Sequence, residues 1–129
     1  MSAWSMELAE DWQQRQEEEA VTFYHPDGVG TLQISAYEAD EAIVPADLDQ
    51  LAELGGPAAA DYQPVTCGEF SGKACEQLED DELWQFWFIA AADCALAITY
   101  SCNYEDRNQE ARTIKAMLDS LALGEGEGS

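Results

Sequence analysis

Four cysteines, one histidine and a run of four adjacent carboxylates are the groups in this 129-residue chain with the most obvious capacity for chemistry. Thiolates and imidazoles bind zinc, and structural zinc sites bring cysteines as close pairs, roughly two to four residues apart. Here seven residues separate Cys67 from Cys75, and seven separate Cys94 from Cys102. If Cys94 to Cys102 is one continuous strand, its ends stand ~27 Å apart at ~3.4 Å per residue. Those two thiols share neither a metal nor a disulfide. Cys67 and Cys75 flank a hairpin turn and can approach one another. A disulfide there stays open beside the reading of four reduced thiols in the sheet, the usual place of free cysteine. No metal and no cofactor is expected.

His25 is the only histidine. A nucleophilic triad needs a base, an orienting acid and a nucleophile, yet His25 adjoins a hairpin turn and nothing near it marks a nucleophile. The G-x-S-x-G, H-E-x-x-H and P-loop patterns are all missing. No catalytic residue is therefore assigned. Glu79-Asp80-Asp81-Glu82 offers oxygen ligands suited to calcium. It lacks the spaced loop of an EF-hand, and successive side chains in a strand turn diverge. That run reads as a solvated turn.

Binding is the other chemistry on offer. Trp12, Tyr24, Tyr37, Tyr62 and Tyr104 fall where some must stay partly exposed, and aromatics are enriched in interface hot spots. Core packing accounts for most of them. The candidates for partner contact are Trp12, Tyr37, Glu79, Asp80, Asp81 and Glu82.

Charge narrows the partners. Twenty-seven acids against five bases give a formal charge of -22, which repels nucleic acid and anionic membrane and attracts cationic partners. The 47% apolar content argues against wholesale disorder. Two explanations of the acidity compete: an acidic face for a basic protein, or a whole surface kept soluble at high salt. Residues 1–10 show no basic or apolar leader pattern. The apolar stretch Leu83 to Cys102, interrupted by Gln85 and Asp93, reads as a strand pair rather than a membrane span. The expected location is cytoplasmic, where thiols stay reduced.

The elements that position these groups follow from periodicity. Trp4, Met6 and Leu8 alternate with Ser5 and Glu7, which predicts a half-buried strand over 3–8. Ala9-Glu10-Asp11 turns into a short polar strand at Trp12 to Gln16. Val21 to His25 and Thr31 to Tyr37, joined by Pro26-Asp27-Gly28-Val29-Gly30, predict a β-hairpin. Pro45, with apolar Leu48, Leu51, Ala52 and Leu54, predicts a helix over 45–54 closed by Gly55-Gly56-Pro57. Tyr62 to Phe70 reads as a strand, Ser71-Gly72-Lys73 as its turn, and Ala74 to Leu78 as the return. Leu83 to Ile89 carries bulky groups on both alternating faces, so it is expected to be covered on both sides. After a turn at Ala91-Ala92-Asp93, the strand Cys94 to Cys102 puts Cys94, Leu96, Ile98, Tyr100 and Cys102 on one face. Its smaller residues take the other. Ala111, Ile114, Met117, Leu118 and Leu121 form the apolar stripe of a last helix over 108–121. The fold class is therefore α+β, a mainly antiparallel sheet covered by helices. One domain is expected over 1–122, with a flexible acidic Gly-rich tail at 123–129.

Trp4 through Trp12, the Val21 to Tyr37 hairpin with its His25-Pro26-Asp27-Gly28 turn, and the helix around Leu48 to Leu54 resemble the opening of PsbP-like domains. The segment Cys67-Gly68-Glu69-Phe70-Ser71-Gly72-Lys73 and the Trp84-to-Tyr100 hairpin resemble a small bacterial family of unassigned function related to that fold. The resemblance spans most of residues 3 to 122. It implies an α/β/α sandwich whose members mostly act by binding, and it brings no catalytic residue. The leading expectation is a non-enzymatic cytoplasmic domain that binds a basic protein, as an immunity or accessory protein. Against it stand a small-ligand or hydrolytic enzyme using carboxylates with His25, and an acid-rich housekeeping domain adapted to high salt. The sequence predicts no oligomeric state.

Overall fold

A computed structural model describes residues 4–17, 20–26, 28–38, 41–55, 62–106 and 108–123. Along the chain lie β1 (Trp4–Ser5), β2 (Gln13–Gln16), β3 (Val21–Tyr24), β4 (Gly30–Glu38), α1 (Pro45–Gly55) and β5 (Gln63–Cys67). Then come β6 (Phe70–Glu79), β7 (Glu82–Ala91), β8 (Cys94–Asn103), α2 (Ala111–Asp119) and β9 (Ala122–Leu123). A 3-10 turn at Tyr104–Asp106 links β8 to α2.

Seven strands form one sheet in the order β2-β3-β4-β8-β7-β6-β5, and each neighbouring pair is antiparallel. The chain lays down β2 to β4 from one edge and crosses through α1 to the opposite edge. It then returns by successive hairpins until β8 closes the seam against β4. β1 and β9 form a separate two-stranded pair. Among the described residues no helix is long and apolar enough to cross a membrane.

Strand β8 sorts its side chains by size. Cys94, Leu96, Ile98, Tyr100 and Cys102 are buried on one face, where Ile114, Met117, Leu118 and Leu121 of the α2 segment meet them. Ala95 and Ala97 face the other way, into a second cluster with Leu48, Leu51 and Ala52 of α1 and Phe86 and Phe88 of β7. The two helices thus lie on opposite faces of the sheet. Burying one Leu, Ile or Phe side chain contributes ~1.5–3 kcal/mol, so the double cover of β7 and β8 stabilises the fold substantially.

Local chemistry sets the helix starts. The Val44 N–H donates to Asp47 Oδ2 at 3.1 Å, and the Asp47 N–H donates to the Val44 carbonyl at 2.9 Å. This reciprocal cap makes Pro45 the first helical residue. The second helix begins at Ala111 rather than 108, because Glu110 at its N-cap makes no side-chain cap and is turned toward other partners. Ala111, expected in the apolar stripe, is exposed.

Three further expectations are corrected, and one open alternative is closed. The β5–β6 turn is Gly68–Glu69, whereas Ser71, Gly72 and Lys73 pair with Ala90, Ile89 and Phe88 inside β6. Gly68 sits at φ 62, and a Cβ there would strike the Leu121 carbonyl, whose oxygen accepts the Glu69 N–H at 2.9 Å. With that register Cys67 lies in the α2-side cluster and Cys75 in the α1-side cluster. A Cys67–Cys75 disulfide has no geometry, and all four cysteines are free and buried. At the N-terminus Trp4 and Met6 pack on the core, but only Trp4–Ser5 is strand, and Leu123, expected to open the tail, pairs with Trp4. Glu18, Glu19, Asp27, the Gly56-Pro57 helix stop and the tail from Gly124 lie outside the described residues.

Left-handed backbone costs a non-glycine residue ~1–2 kcal/mol. Gly68→Ala adds a clash to that cost and is expected to lower unfolding free energy by ~2 kcal/mol or more. Ala92 holds φ 52 in an exposed turn, so Ala92→Gly is expected to raise stability by ~0.5 kcal/mol. Urea midpoints of the two variants should move in opposite directions. A second expectation concerns the thiols. Burial pushes Cys67 and Cys94 from 9.0 up to about 11, with smaller contributions from Asp119 and Glu38 respectively. The unfolded chain therefore releases these protons first. The stability present below about pH 9 is lost as pH rises toward about 11. Urea midpoints measured across that window should fall, and should fall less in Cys94→Ala.

Candidate functional site

The residues expected to contact a partner do not form one site. Trp12 is 8% exposed and belongs to the core, its ring edge-on to His25 with centroids 6.4 Å apart. The alternation that points it inward leaves it no surface for a partner. Tyr37 is 48% exposed and pairs with Ala95, while Glu82 pairs with Asn103 at the far end of β8. Those ends are ~27 Å apart at ~3.4 Å per residue. Glu79, Asp80, Asp81 and Glu82 form the exposed tip of the β6–β7 hairpin, where the Asp81 carbonyl accepts the Tyr104 N–H at 2.7 Å. Among the described residues no group of His, Cys, Asp or Glu is arranged to hold a metal.

What the register does bring together is a strip of polar groups, uncharged except for Arg15, on the face that carries α1. From β2 come Gln13 and Arg15, from β3 Thr22 and Tyr24, from β4 Thr31, Gln33, Ser35 and Tyr37, and from β8 Thr99 and Ser101. Strand alternation puts all ten on one face with Ala95 and Ala97. The helix covers the alanines and stops there; the hydroxyls beyond them continue as the strip. No carboxylate stands at any of the ten positions, in a chain with 27 acids. Acids stand at its margins instead: the Glu17 carboxylate lies against Arg15 and Thr22, and Glu82 pairs with Asn103, two residues beyond Ser101 on β8.

Among the described residues, two clefts open on this face. One of about 350 Å³ lies at the β3–β4 turn, lined by Arg15, Thr22, Tyr24, His25, Thr31 and the turn backbone. Arg15 there is held by Glu17 at 3.6 Å, and the Thr22 hydroxyl donates to the same carboxylate at 3.3 Å. Among the described residues, neither cysteine nor serine lines it. The other, about 290 Å³, runs beside α1 between Ile43, Val44, Leu48 and Lys73. The Lys73 ammonium pairs with Asp49 and sits 4.5 Å over the Tyr62 ring. Burial first, then the Cys75 thiol, pushes the Tyr62 phenol up to about 12.

Glu110 is the residue that sequence reasoning missed. It is buried, yet its Oε1 accepts the Tyr100 hydroxyl at 2.6 Å and its Oε2 accepts the Val29 N–H at 3.2 Å. A Cβ at Gly28 would collide with Oε2, so glycine there is what lets the carboxylate reach the turn. Burial, reinforced by Glu110, holds the Tyr100 phenol far above its ordinary range. The one signal in the sequence was a carboxylate directly before an apolar-periodic helix, a position that favours Ser, Thr, Asp or Asn.

No protein-family model matches the chain, and no curated protein matches it. Solved structures do share its fold. A protein of Bacteroides thetaiotaomicron VPI-5482 superposes with TM-score 0.70 at 19% identity, over 98% of this chain and 47% of that one. The chain thus spans about half the length of that protein. LpqN, involved in cell envelope biogenesis of Mycobacterium tuberculosis, superposes with TM-score 0.57 at 14% identity, over 93% of this chain and 82% of that one. At such identities the likeness is one of fold.

Proposed function

We propose that this chain is a non-enzymatic cytoplasmic domain of PsbP-like type that binds a basic protein partner, in an immunity or accessory role, through the acid-free polar strip. The strip's composition carries this reading. Interface cores are depleted in charge and rich in aromatics, with charged residues at the rim. Tyr, Ser and Asn-like side chains supply adaptable contacts at low entropic cost. A strip of Tyr, Thr, Ser and Gln bordered by acids fits that anatomy. The border would steer a cationic partner, and the strip would select it. Helices on opposite faces of an antiparallel sheet support the sandwich assignment. Adaptation to high salt explains acid everywhere, and so explains a strip without acid poorly.

The test exploits a difference of sign. If bulk charge alone held the partner, Thr31→Glu with Gln33→Glu would tighten binding. If the strip is the contact core, the same pair buries unpaired charge and weakens binding at least ~10-fold, about 1.4 kcal/mol. The measurement is calorimetry with a partner recovered at low salt and released at high salt. Unchanged or tighter binding by the double variant overturns the proposal.

A further inference from the structure

We infer that β2 accepts an extended segment of the partner as an eighth strand, and that this segment carries about four uncharged residues between basic ones. The inference rests on the reading that the partner is a basic protein. Among the described residues nothing pairs with the outer side of β2. The Glu17 N–H donates to the Ala20 carbonyl at 2.8 Å, which makes those two a hydrogen-bonded pair in the β2–β3 register. Bonded and non-bonded pairs alternate in an antiparallel ladder. Arg15–Thr22 and Gln13–Tyr24 are therefore bonded pairs, and the backbone N–H and C=O groups of Gln14 and Gln16 point away from β3.

Edge strands are normally blunted by shortness, proline, charged side chains or a bulge; β2 is short, and its one charge, Arg15, is paired with Glu17. The opposite edge, β5, carries Pro64. β2 reads Gln-Gln-Arg-Gln, fully exposed, with no proline, lysine or acid. Its flanks are acidic: Glu10 and Asp11 precede it and Glu17 follows, all exposed. Gln13–Gln16 spans ~13 Å as a strand; Asp11 precedes it in a turn, at φ 67, and Glu17 follows it. A segment with basic residues on both sides of about four uncharged ones meets, in either direction, the acids Glu10 and Asp11 at one end and at the other the exposed Glu17 carboxylate, which Arg15 and Thr22 share. A second copy of this chain fits worse. Antiparallel pairing of two β2 strands would set the Asp11 end of one against the Glu17 end of the other, acid against acid.

The probe is a synthetic peptide with two arginines on each side of a Thr-Val-Thr-Val centre, titrated into the full chain and followed by fluorescence anisotropy. Binding is expected at low salt and should weaken as salt is raised. The same peptide with glutamates for arginines should not bind. Gln14→Pro removes an outward N–H and spares the β2–β3 bonds, as proline does on edge strands. It should weaken peptide binding at least ~10-fold while leaving the thermal midpoint within a few degrees of the parent. If Gln14→Pro unfolds the chain, a peptide N-methylated at alternate centre residues gives the same test on the unaltered protein and should not bind. Equal binding in either comparison overturns strand addition. If the Thr31→Glu, Gln33→Glu protein loses its partner while Gln14→Pro keeps it, strand addition fails and the binding role stands. If neither variant changes partner affinity, both fail. Self-association of the free chain that Gln14→Pro abolishes would replace the basic segment with a second copy.

Discussion

Leu96, Ile98 and Tyr100 leave β8 on one side of the sheet, and Phe86 and Phe88 leave β7 on the other. A strand pair with bulky apolar groups on both faces is kept from water only by layers above and below it. That constraint places the remaining elements. α2 docks where the large side chains of β8 project, and α1 docks where Ala95 and Ala97 leave room. The outer strands complete the sheet around a centre that cannot be an edge. Glu69 and Leu121 then pin the β5–β6 turn to the end of α2, so one helix fixes both the centre and a margin of the sheet.

The same size alternation shapes the charge. Acids cannot enter the doubly covered centre without large desolvation costs, so they collect in turns and on exposed helix positions. The ten-residue strip is different: five of its members are exposed and only Thr22 is buried, so acids at the exposed positions would cost little. Their exclusion is therefore not a by-product of burial. In the β4–β8 register Thr31 faces Ser101 and Gln33 faces Thr99, so polar pairs align across the seam as cross-strand neighbours. Arg15, the only charged member, is already matched by Glu17.

Much of the fold was legible because its signals are local. The Val21–Tyr37 hairpin carries its turn residues within it, α1 carries Pro45 and its apolar stripe, and Leu83–Ile89 announces burial on both faces. The failures share a cause, dependence on residues far away in sequence. The local pattern favours a turn at Ser71-Gly72-Lys73, but the chain turns at Gly68–Glu69. Leu121 decided between them by accepting the Glu69 N–H and leaving no space for a Cβ at residue 68. Trp12 looked like a surface aromatic beside polar neighbours until the sheet edge folded over the core. The strip itself was present as alternating Thr, Gln, Ser and Tyr, but only the pairing of β4 with β8 made two half-patterns into one surface.

Glu110 ties that surface to the rest of the molecule. It stands behind the sheet, on the α2 side, and holds the β3–β4 turn through Val29 while gripping β8 through Tyr100. A carboxylate buried with two donors is costly to lose, since either donor left unpaired costs ~1–3 kcal/mol. The strip therefore rests on strands whose turn, seam and backing helix are joined through one side chain. In the proposed role this matters for selectivity. Acids at the rim attract any cation, and their pull fades with salt. A rigid uncharged centre rewards only a partner whose groups meet Tyr24, Thr31, Gln33 and Thr99 in place, because preorganised contacts avoid the ordering cost that mobile loops incur. The strong field brings many basic proteins close; the weak, well-held strip is what can tell them apart.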